Sequence, residues 1–572
     1  MPSLFEELSN ELFMEIFEYI NSYDLYSIFN DLNARLQNVV RYMPVYINCL
    51  NVRKFRFDHY MNIIIPSITT QIVSIQLSNR DTPGQIDSFF SSFSLKNFVR
   101  LKSLTLIKVT SNETMNKILM NLSFVKHLSY LSIIDSGFIA NDIHENMCKI
   151  IFVDRYFKYL TYCQLSYYKL PSTITTSIPT CNIKQLTIRL NYFNDLVSLL
   201  DRCPQIQKLT AAIPYKAFIT ENEEIISIYP VTSLRYMKLD LGYHILFNKF
   251  ELLCEKLPNI KYLSCSALGL SFTDGERWQN LIMTCFPSLF EFDLLFEVGY
   301  TSSSAIDITN IIKKFQTQFW LDRNKYFICD YRDQRMLALY STPYNKTVTA
   351  PLMNIYETTS SVMMIYDKVE KLFLKFSTTR HLNTQRIYPN VSTLILLNED
   401  DKGEISTIPF PSSPFVSDIG KIIVWENIRN LSYLCYNYEL MVDIMKYATN
   451  ITSLDLCVDY FKNMLSDNIC PLFINIKRLE LVDGRFEMNT IEKLSKLFPQ
   501  LEHLTIDIEN NYELYTILPL LVANIRNMSY LSIEIHSNTR SRDQIEYWLR
   551  SNILFINFSI EFNEFRLRLW SK

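Results

Sequence analysis

Apolar residues recur along this chain in a short phrase: one apolar residue, two variable ones, a second apolar, one variable, a third apolar. It reads Leu101, Leu104, Leu106, then Leu128, Leu131, Ile133, then Ile183, Leu186, Ile188. Ile206 with Leu209, Leu234 with Met237 and Leu239, Ile260 with Leu263, and Leu289 with Phe292 and Leu294 continue it; Phe157 to Tyr162 is a weaker copy. The starts at 101, 128, 157, 183, 206, 234, 260 and 289 lie 23 to 29 residues apart. A second series holds Val369, Leu372, Leu374 and Val391, Leu394, Leu396. It goes on through Ile451, Leu454, Leu456, then Ile476, Leu479, Leu481, then Leu501, Leu504, Ile506, and ends at Met528, Leu531, Ile533. The starts at 451, 476, 501 and 528 advance by 25, 25 and 27.

The end of the phrase alternates apolar and polar residues, which predicts a half-buried strand. The segment before it often looks helical and stops at a proline, as in Cys203-Pro204, Leu257-Pro258, Phe286-Pro287, Tyr388-Pro389 and Phe498-Pro499. Proline disfavours helix at the residue before it and so marks the exit toward the strand. A helix-turn-strand unit of about 25 residues cannot bury its own apolar face, whereas stacked neighbours can. The pattern therefore predicts an α/β solenoid, a curved parallel sheet with outer helices. Strand side chains alternate, so the variable residues within the phrase point away from the helices. Thr105, Ser132, Thr187, Lys238, Asp455, Glu480 and Thr505 are the candidate contacts for a bound target on that reading.

The phrase, at this period, resembles the leucine-rich repeat family in a degenerate, longer form. The other reading is an ordinary α/β protein whose strands share the phrase. The repeats divide into a first arc over 46–299 and a second over 366–572 with a C-terminal cap. Residues 300–365 break the pattern and read as a strand-rich insertion. Phe319 to Cys329 is expected to form two strands around the polar Asp322-Arg323-Asn324 turn, with Met336 to Tyr340 a third. Such an insertion either carries partner contacts or only joins the two arcs. The acidic stretch Glu399 to Glu404 is expected to be an exposed loop.

Residues 1–45 lack the phrase. Leu12, Phe13, Ile16, Phe17 and Ile20 recur at helical spacing, with Ser9 or Asn10 available as a cap. Leu25, Ile28, Phe29 and Leu32 form a second stripe behind Asn21 or Ser22, and Leu36, Val39 and Val40 a third. Three short helices make a small core, which leans on a partner or on its neighbour in the chain. Leu8-Ser9-Asn10-Glu11-Leu12-Phe13-Met14-Glu15-Ile16-Phe17-Glu18-Tyr19-Ile20 resembles the first helix of an F-box. Asp24-Leu25-Tyr26-Ser27-Ile28-Phe29 is similar to its second helix, with the acidic-Leu pair, and Leu32 to Leu36 to the start of its third. The resemblance implies a helical module that docks on a Skp1-type adaptor and through it on a cullin-RING ubiquitin ligase. The repeats would then recruit the protein to be ubiquitylated. Leu8, Ser9, Ile16, Phe17, Ile20, Asp24 and Leu25 match the positions implied to contact the adaptor. The apolar ones serve equally well as the module's own core.

Composition narrows the alternatives. Of 572 residues, 48% are hydrophobic and only 20% charged, which supports a large core and argues against a mostly disordered chain. A net charge of -3 without a basic stripe gives no electrostatic footprint for nucleic acid. Glycine occurs only 9 times, leaving little for loops that cradle phosphates or dinucleotides. The 12 cysteines are scattered without CxxC spacing or a Cys/His cluster, so they read as buried thiols in a reducing compartment. The acidic N-terminus does not read as a signal peptide, and no apolar run is long enough to span a membrane. A cytoplasmic or nuclear protein without membrane contact is expected. The chain contains no Walker A, HExxH, GxSxG or EF-hand pattern, and its seven histidines lie far apart. No enzyme activity, metal or cofactor is expected. In a ligase of the kind implied, the chemistry belongs to other subunits. The alternative function is a non-catalytic repeat scaffold, with the F-box-like segment acting only as an N-terminal cap.

Overall fold

The computed structural model describes residues 5, 7–30, 32–50, 52, 54–80, 82, 84–109, 111–135, 140–152, 156–168, 181–214, 229–299, 307–333, 336–344, 348–349, 354–358, 364–376, 386–398, 412–434, 438–458, 470–482, 491–525, 527–537, 542–552, 558–562 and 566–571. The fold is mixed α/β, dominated by parallel strands. The chain divides into two units, Met1–Phe272 with Arg277–Phe292, and Thr273–Glu276 with Asp293–Lys572.

The first unit opens with helices α1 (Asn10–Glu18), α2 (Ser22–Phe29) and α3 (Ala34–Tyr42). Nine strands follow among the described residues: β1 (Val45–Asn48), β2 (Ile72–Ser78), β3 (Ser103–Ile107), β4 (Tyr130–Ile134), β5 (Tyr162–Tyr168), β6 (Gln185–Leu190), β7 (Lys208–Ile213), β8 (Tyr236–Leu241) and β9 (Tyr262–Leu268). Each pairs in parallel with the next in chain order. Helices such as Asn112–Leu122, Phe193–Arg202 and Phe247–Cys254 lie between them in the chain. That is the connection a parallel pair requires.

The phrase sets the register. Leu104 faces Leu131 across the β3–β4 ladder, and Leu186, Leu209, Met237 and Leu263 face one another in turn from β6 to β9. All are buried, as are Ile118, Leu122, Leu196 and Leu199 on the helices. Each such side chain contributes about 1.5–3 kcal/mol on leaving water. Two readings of the sequence need adjustment. Tyr162 faces Tyr130 and Cys163 faces Leu131, so that copy of the phrase starts at Leu160 rather than Phe157. Ile72, Ile75 and Leu77 on β2 form an earlier copy, in register with β3.

A row of asparagines closes the turns before the strands. The side-chain amide of Asn182 donates to the Lys158 carbonyl at 2.8 Å, and that of Asn259 to Thr232 at 2.9 Å. In the second unit Asn390 donates to Asp367 at 2.8 Å, Asn427 to Pro389 at 2.9 Å, Asn450 to Glu426 at 3.0 Å and Asn527 to Pro499 at 3.2 Å. Each asparagine immediately precedes a phrase and reaches the carbonyl two residues before the preceding one. These carbonyls lie outside any strand ladder, and an unmet backbone acceptor is costly.

The second unit begins with an antiparallel group. β10 (Glu291–Gly299) pairs with β12 (Met336–Ser341), β12 with β11 (Phe327–Asp333), and β11 with β14 (Asn354–Thr358). The first of the two strands expected around Asp322-Arg323-Asn324 is instead a helix, Gln318–Leu321. Burial of Trp320 explains it: its ring packs 5.3 Å from Phe315 and 5.1 Å from Phe327, and its indole N–H reaches the Lys314 carbonyl. Asn324 takes φ 51° to turn the chain into β11, a conformation asparagine tolerates.

A parallel run follows: β13 (Val348–Thr349), β16 (Lys371–Phe376), β18 (Thr393–Asn398), β19 (Asn430–Leu434), β20 (Ser453–Cys457), β21 (Arg478–Val482), β22 (His503–Asn510) and β23 (Tyr530–Ser537). β15 (Met364–Ile365) and β17 (Arg386–Ile387) form a small separate pair. The last strands, β24 (Phe558–Phe562) and β25 (Arg566–Ser571), turn antiparallel and end the sheet on β23. β19 carries a further copy, Ile428, Leu431 and Tyr433, which the spacing does not show because a tyrosine takes the third apolar place. Glu399 to Glu404 lie outside the described residues.

Candidate interaction surfaces

The N-terminal helices are capped as their sequence suggests. The side chains of Ser9, Asn21 and Asn33 accept from the backbone N–H groups of Leu12, Asp24 and Leu36. Phe13 and Phe17 point inward, with Phe17 4.7 Å from Phe29, and meet Leu25, Leu36, Val39 and Val40 in a small core. Arg35 donates to the Leu8 carbonyl at 2.5 Å and to Asn10 Oδ1 at 3.0 Å, tying α3 to the start of α1. Ser22 Oγ lies 3.0 Å from Tyr60 Oη and donates to the Tyr46 carbonyl at 3.0 Å, which fixes α2 against β1.

This arrangement sorts the seven residues matched to adaptor contacts. Phe17, 1% exposed, and Leu25, 4% exposed, are core residues and leave that set, since neither offers surface. Ser9 is exposed and serves as the α1 cap, while Asp24 accepts from the Asn21 amide at 2.6 Å at the start of α2. Leu8 and Ile20 are half-buried. Ile16 is 37% exposed and does not stand alone: Leu12 and Tyr19 share its face of α1, and Tyr19 is 92% exposed. Ile28 and Leu32 add exposed apolar surface nearby in the sequence. Leu12, Ile28 and Leu32 belong to the apolar stripes of the sequence, yet they face outward and are not core. The excess of apolar positions on α1 is the signal that finds the outer ones, because one face cannot bury Leu12, Phe13, Ile16, Phe17 and Tyr19 together.

The face of the first unit's sheet opposite its apolar rows is polar. Thr105, Ser132, Gln164, Thr187, Thr210, Lys238 and Ser264 are successive cross-strand partners in one row. Four of the residues named for target contact therefore lie in a single line, on strands spaced about 4.8 Å apart. Thr187 and Lys238 are half-buried, but Thr105 and Ser132 are buried. These two are corrected to packing positions: little of either side chain reaches solvent, and Ser132 Oγ donates to Gln164 Oε1 at 3.4 Å. A second row, two residues earlier, runs Ser103, Tyr130, Tyr162, Gln185, Lys208, Tyr236, Tyr262. Tyr130 stacks on Tyr162 at 4.2 Å and 4°, and Tyr236 on Tyr262 at 4.2 Å and 2°. Lys208 Nζ lies 4.6 Å from the centre of the Tyr236 ring, within cation–π range. Burial and the adjacent Tyr130 hydroxyl push the Tyr162 phenol up to about 12. The sequence shows this row as a tyrosine recurring at the third place of the phrase, which apolar patterning alone ignores.

In the second unit Ser432, Asp455, Glu480, Thr505 and Ser532 are successive partners. The other three target candidates, Asp455, Glu480 and Thr505, thus adjoin one another, all half-buried. Burial and then the Glu480 carboxylate push the Asp455 carboxyl up to about 6, against the opposing effects of Ser432 and Arg478. The row two residues earlier holds Asn430, Ser453, Arg478, His503 and Tyr530.

Among the described residues no group of three or more His, Cys, Asp or Glu side chains is placed to hold a metal ion. Among them, too, no helix is long and apolar enough to cross a membrane. No model of a known protein family matches the chain, and no curated protein does.

Proposed function

We propose that the chain is the substrate-recognition subunit of an SCF-type ubiquitin ligase, built from an F-box-like module followed by leucine-rich-repeat-like arcs. The module docks on a Skp1-type adaptor, and the polar strand faces hold a target protein. The observation that carries this reading is the outer face of α1. Leu12, Ile16 and Tyr19 form an exposed apolar stripe on a helix whose other face is already filled by Phe13 and Phe17. Apolar side chains left in water at helical spacing suit a partner's helices. The chain contributes no chemistry of its own in this role. Capture of the full chain by a tagged Skp1-type adaptor, lost with Ile16→Asp in a protein that keeps its helical signal, tests the reading.

The alternative role, a scaffold whose first helices only cap the array, draws on the contacts of Ser22 with Tyr46 and Tyr60. It expects removal of residues 1–45 to lower the melting midpoint while no adaptor is captured by the intact chain.

A further inference from the structure

Cys181 and Cys203 approach each other to 2.9 Å between their sulfurs. Cys181 precedes β6, and Cys203 directly follows the helix Phe193–Arg202. The backbone holds the two ends together, since the Cys181 N–H donates to the Arg202 carbonyl at 3.0 Å. The β8 repeat, two strands on, makes the same join: the Val231 N–H donates to the Lys256 carbonyl at 2.9 Å, with Val231 and Leu257 both buried in the corresponding slot. Where that slot takes two hydrocarbon side chains, this one takes two thiols. The sulfurs lie closer than non-bonded sulfur atoms prefer, and the backbone bond at Arg202 already holds the two cysteines side by side. Cys181 is partly exposed, whereas Cys203 is fully buried.

We infer that Cys181 and Cys203 form a reversible redox pair that a hydroperoxide converts to a disulfide, stapling the start of β6 to the helix behind it. The Cys181 thiolate attacks the peroxide, breaking the O–O bond, forming an S–O bond and releasing the other oxygen as an alcohol. The Cys203 thiol then attacks that sulfur, and its proton leaves with the hydroxyl as water. Two thiols and one hydroperoxide give one disulfide, one alcohol and one water; with hydrogen peroxide the alcohol is a second water. The division of labour follows from position. The Cys203 hydrogen bond holds the Cys181 thiol below its ordinary value, while that same contact and burial push Cys203 up. The cysteine that is partly exposed is thus the nucleophile and the fully buried one the resolving thiol. The closed loop holds β6, which presents Gln185 and Thr187 on the polar sheet face, so oxidation stiffens one segment of that face.

The test treats the full native chain with hydrogen peroxide, blocks remaining thiols with iodoacetamide, and maps linked peptides by mass spectrometry. The expected result is a Cys181–Cys203 linked peptide that dithiothreitol removes and that urea-unfolded protein does not form selectively. The wild-type melting midpoint should rise on oxidation and return on reduction, with no such shift in Cys181→Ser or Cys203→Ser. Linkage read in the wild type stands without the variants. Recovery of both cysteines alkylated after oxidation, over-oxidation of Cys181 without linkage, or preferential linkage to Cys163 would overturn the proposal. So would binding of one equivalent of zinc that Cys181→Ser abolishes.

Discussion

The Arg386 guanidinium on β17 donates to the Asp330 carboxylate on β11 at 2.5 Å, and both side chains are buried. Asp330 also accepts from the Tyr340 hydroxyl at 2.7 Å, and Tyr340 meets the Tyr366 hydroxyl at 2.9 Å. A buried charge without its partner is strongly unfavourable, and replacing Arg386 leaves Asp330 in that state. Arg386→Met is therefore expected to cost about 3–5 kcal/mol, read from urea denaturation. Asp330→Leu combined with Arg386→Met is expected to cost less than the sum of the single changes, because the stranded charge is gone.

The asparagine row gives a smaller and more uniform effect. Asn450→Ala removes one amide donor from the Glu426 carbonyl in an exposed turn. The expected loss is about 1 kcal/mol, with a similar loss for Asn259→Ala. Equilibrium denaturation of each variant checks this. A loss only at one position would mean that the bonds do not act as a repeated element.

Asp455 makes stability depend on pH in an unusual direction. Its folded carboxyl titrates near 6, raised by burial and by Glu480 from an ordinary value of 3.8. Between those values the folded state binds more protons than the unfolded one, so this group adds stability as pH falls from about 6 toward 4 and opposes folding above that window. The urea midpoint of the wild type should therefore gain on that of Asp455→Asn when the pH is lowered from 7.5 to 5. Glu480→Gln should shrink the difference.

Much of this fold is legible because a parallel repeat writes its register into the spacing of Leu104, Leu131, Leu186 and Leu209. Four features are not legible in that spacing, for physical reasons. Tyr433 and Cys163 fill apolar places with residues that patterning discounts, so their copies of the phrase do not stand out. Trp320 folds into a helix because tertiary burial outweighs the strand propensity of an aromatic run. Phe17 and Ile16 are both large and apolar, and the packing of Phe17 on Phe13 and Phe29 decides which one turns inward. The asparagine row was present in the sequence all along, as Asn before each of several phrases, yet its meaning depends on a carbonyl supplied by the preceding unit.

The strand face of the first unit should bind rather than stabilise. Lys208, over the Tyr236 ring, and the half-buried Lys238 lie on that face outside the apolar rows. Replacing both with glutamate is expected to change stability by no more than about 1 kcal/mol. The same double change should abolish capture of whatever protein the wild-type face retains in a cross-linking comparison of the two.

The central claim rests on α1. Calorimetric titration of the purified full chain with a Skp1-type adaptor measures it most directly. Saturable binding by the wild type is expected, with at least a tenfold weaker affinity for Leu12→Asp with Ile16→Asp, a loss of about 1.4 kcal/mol or more. A folded wild-type chain that releases no heat and binds no adaptor, or a double variant that binds as tightly as the wild type, would contradict it.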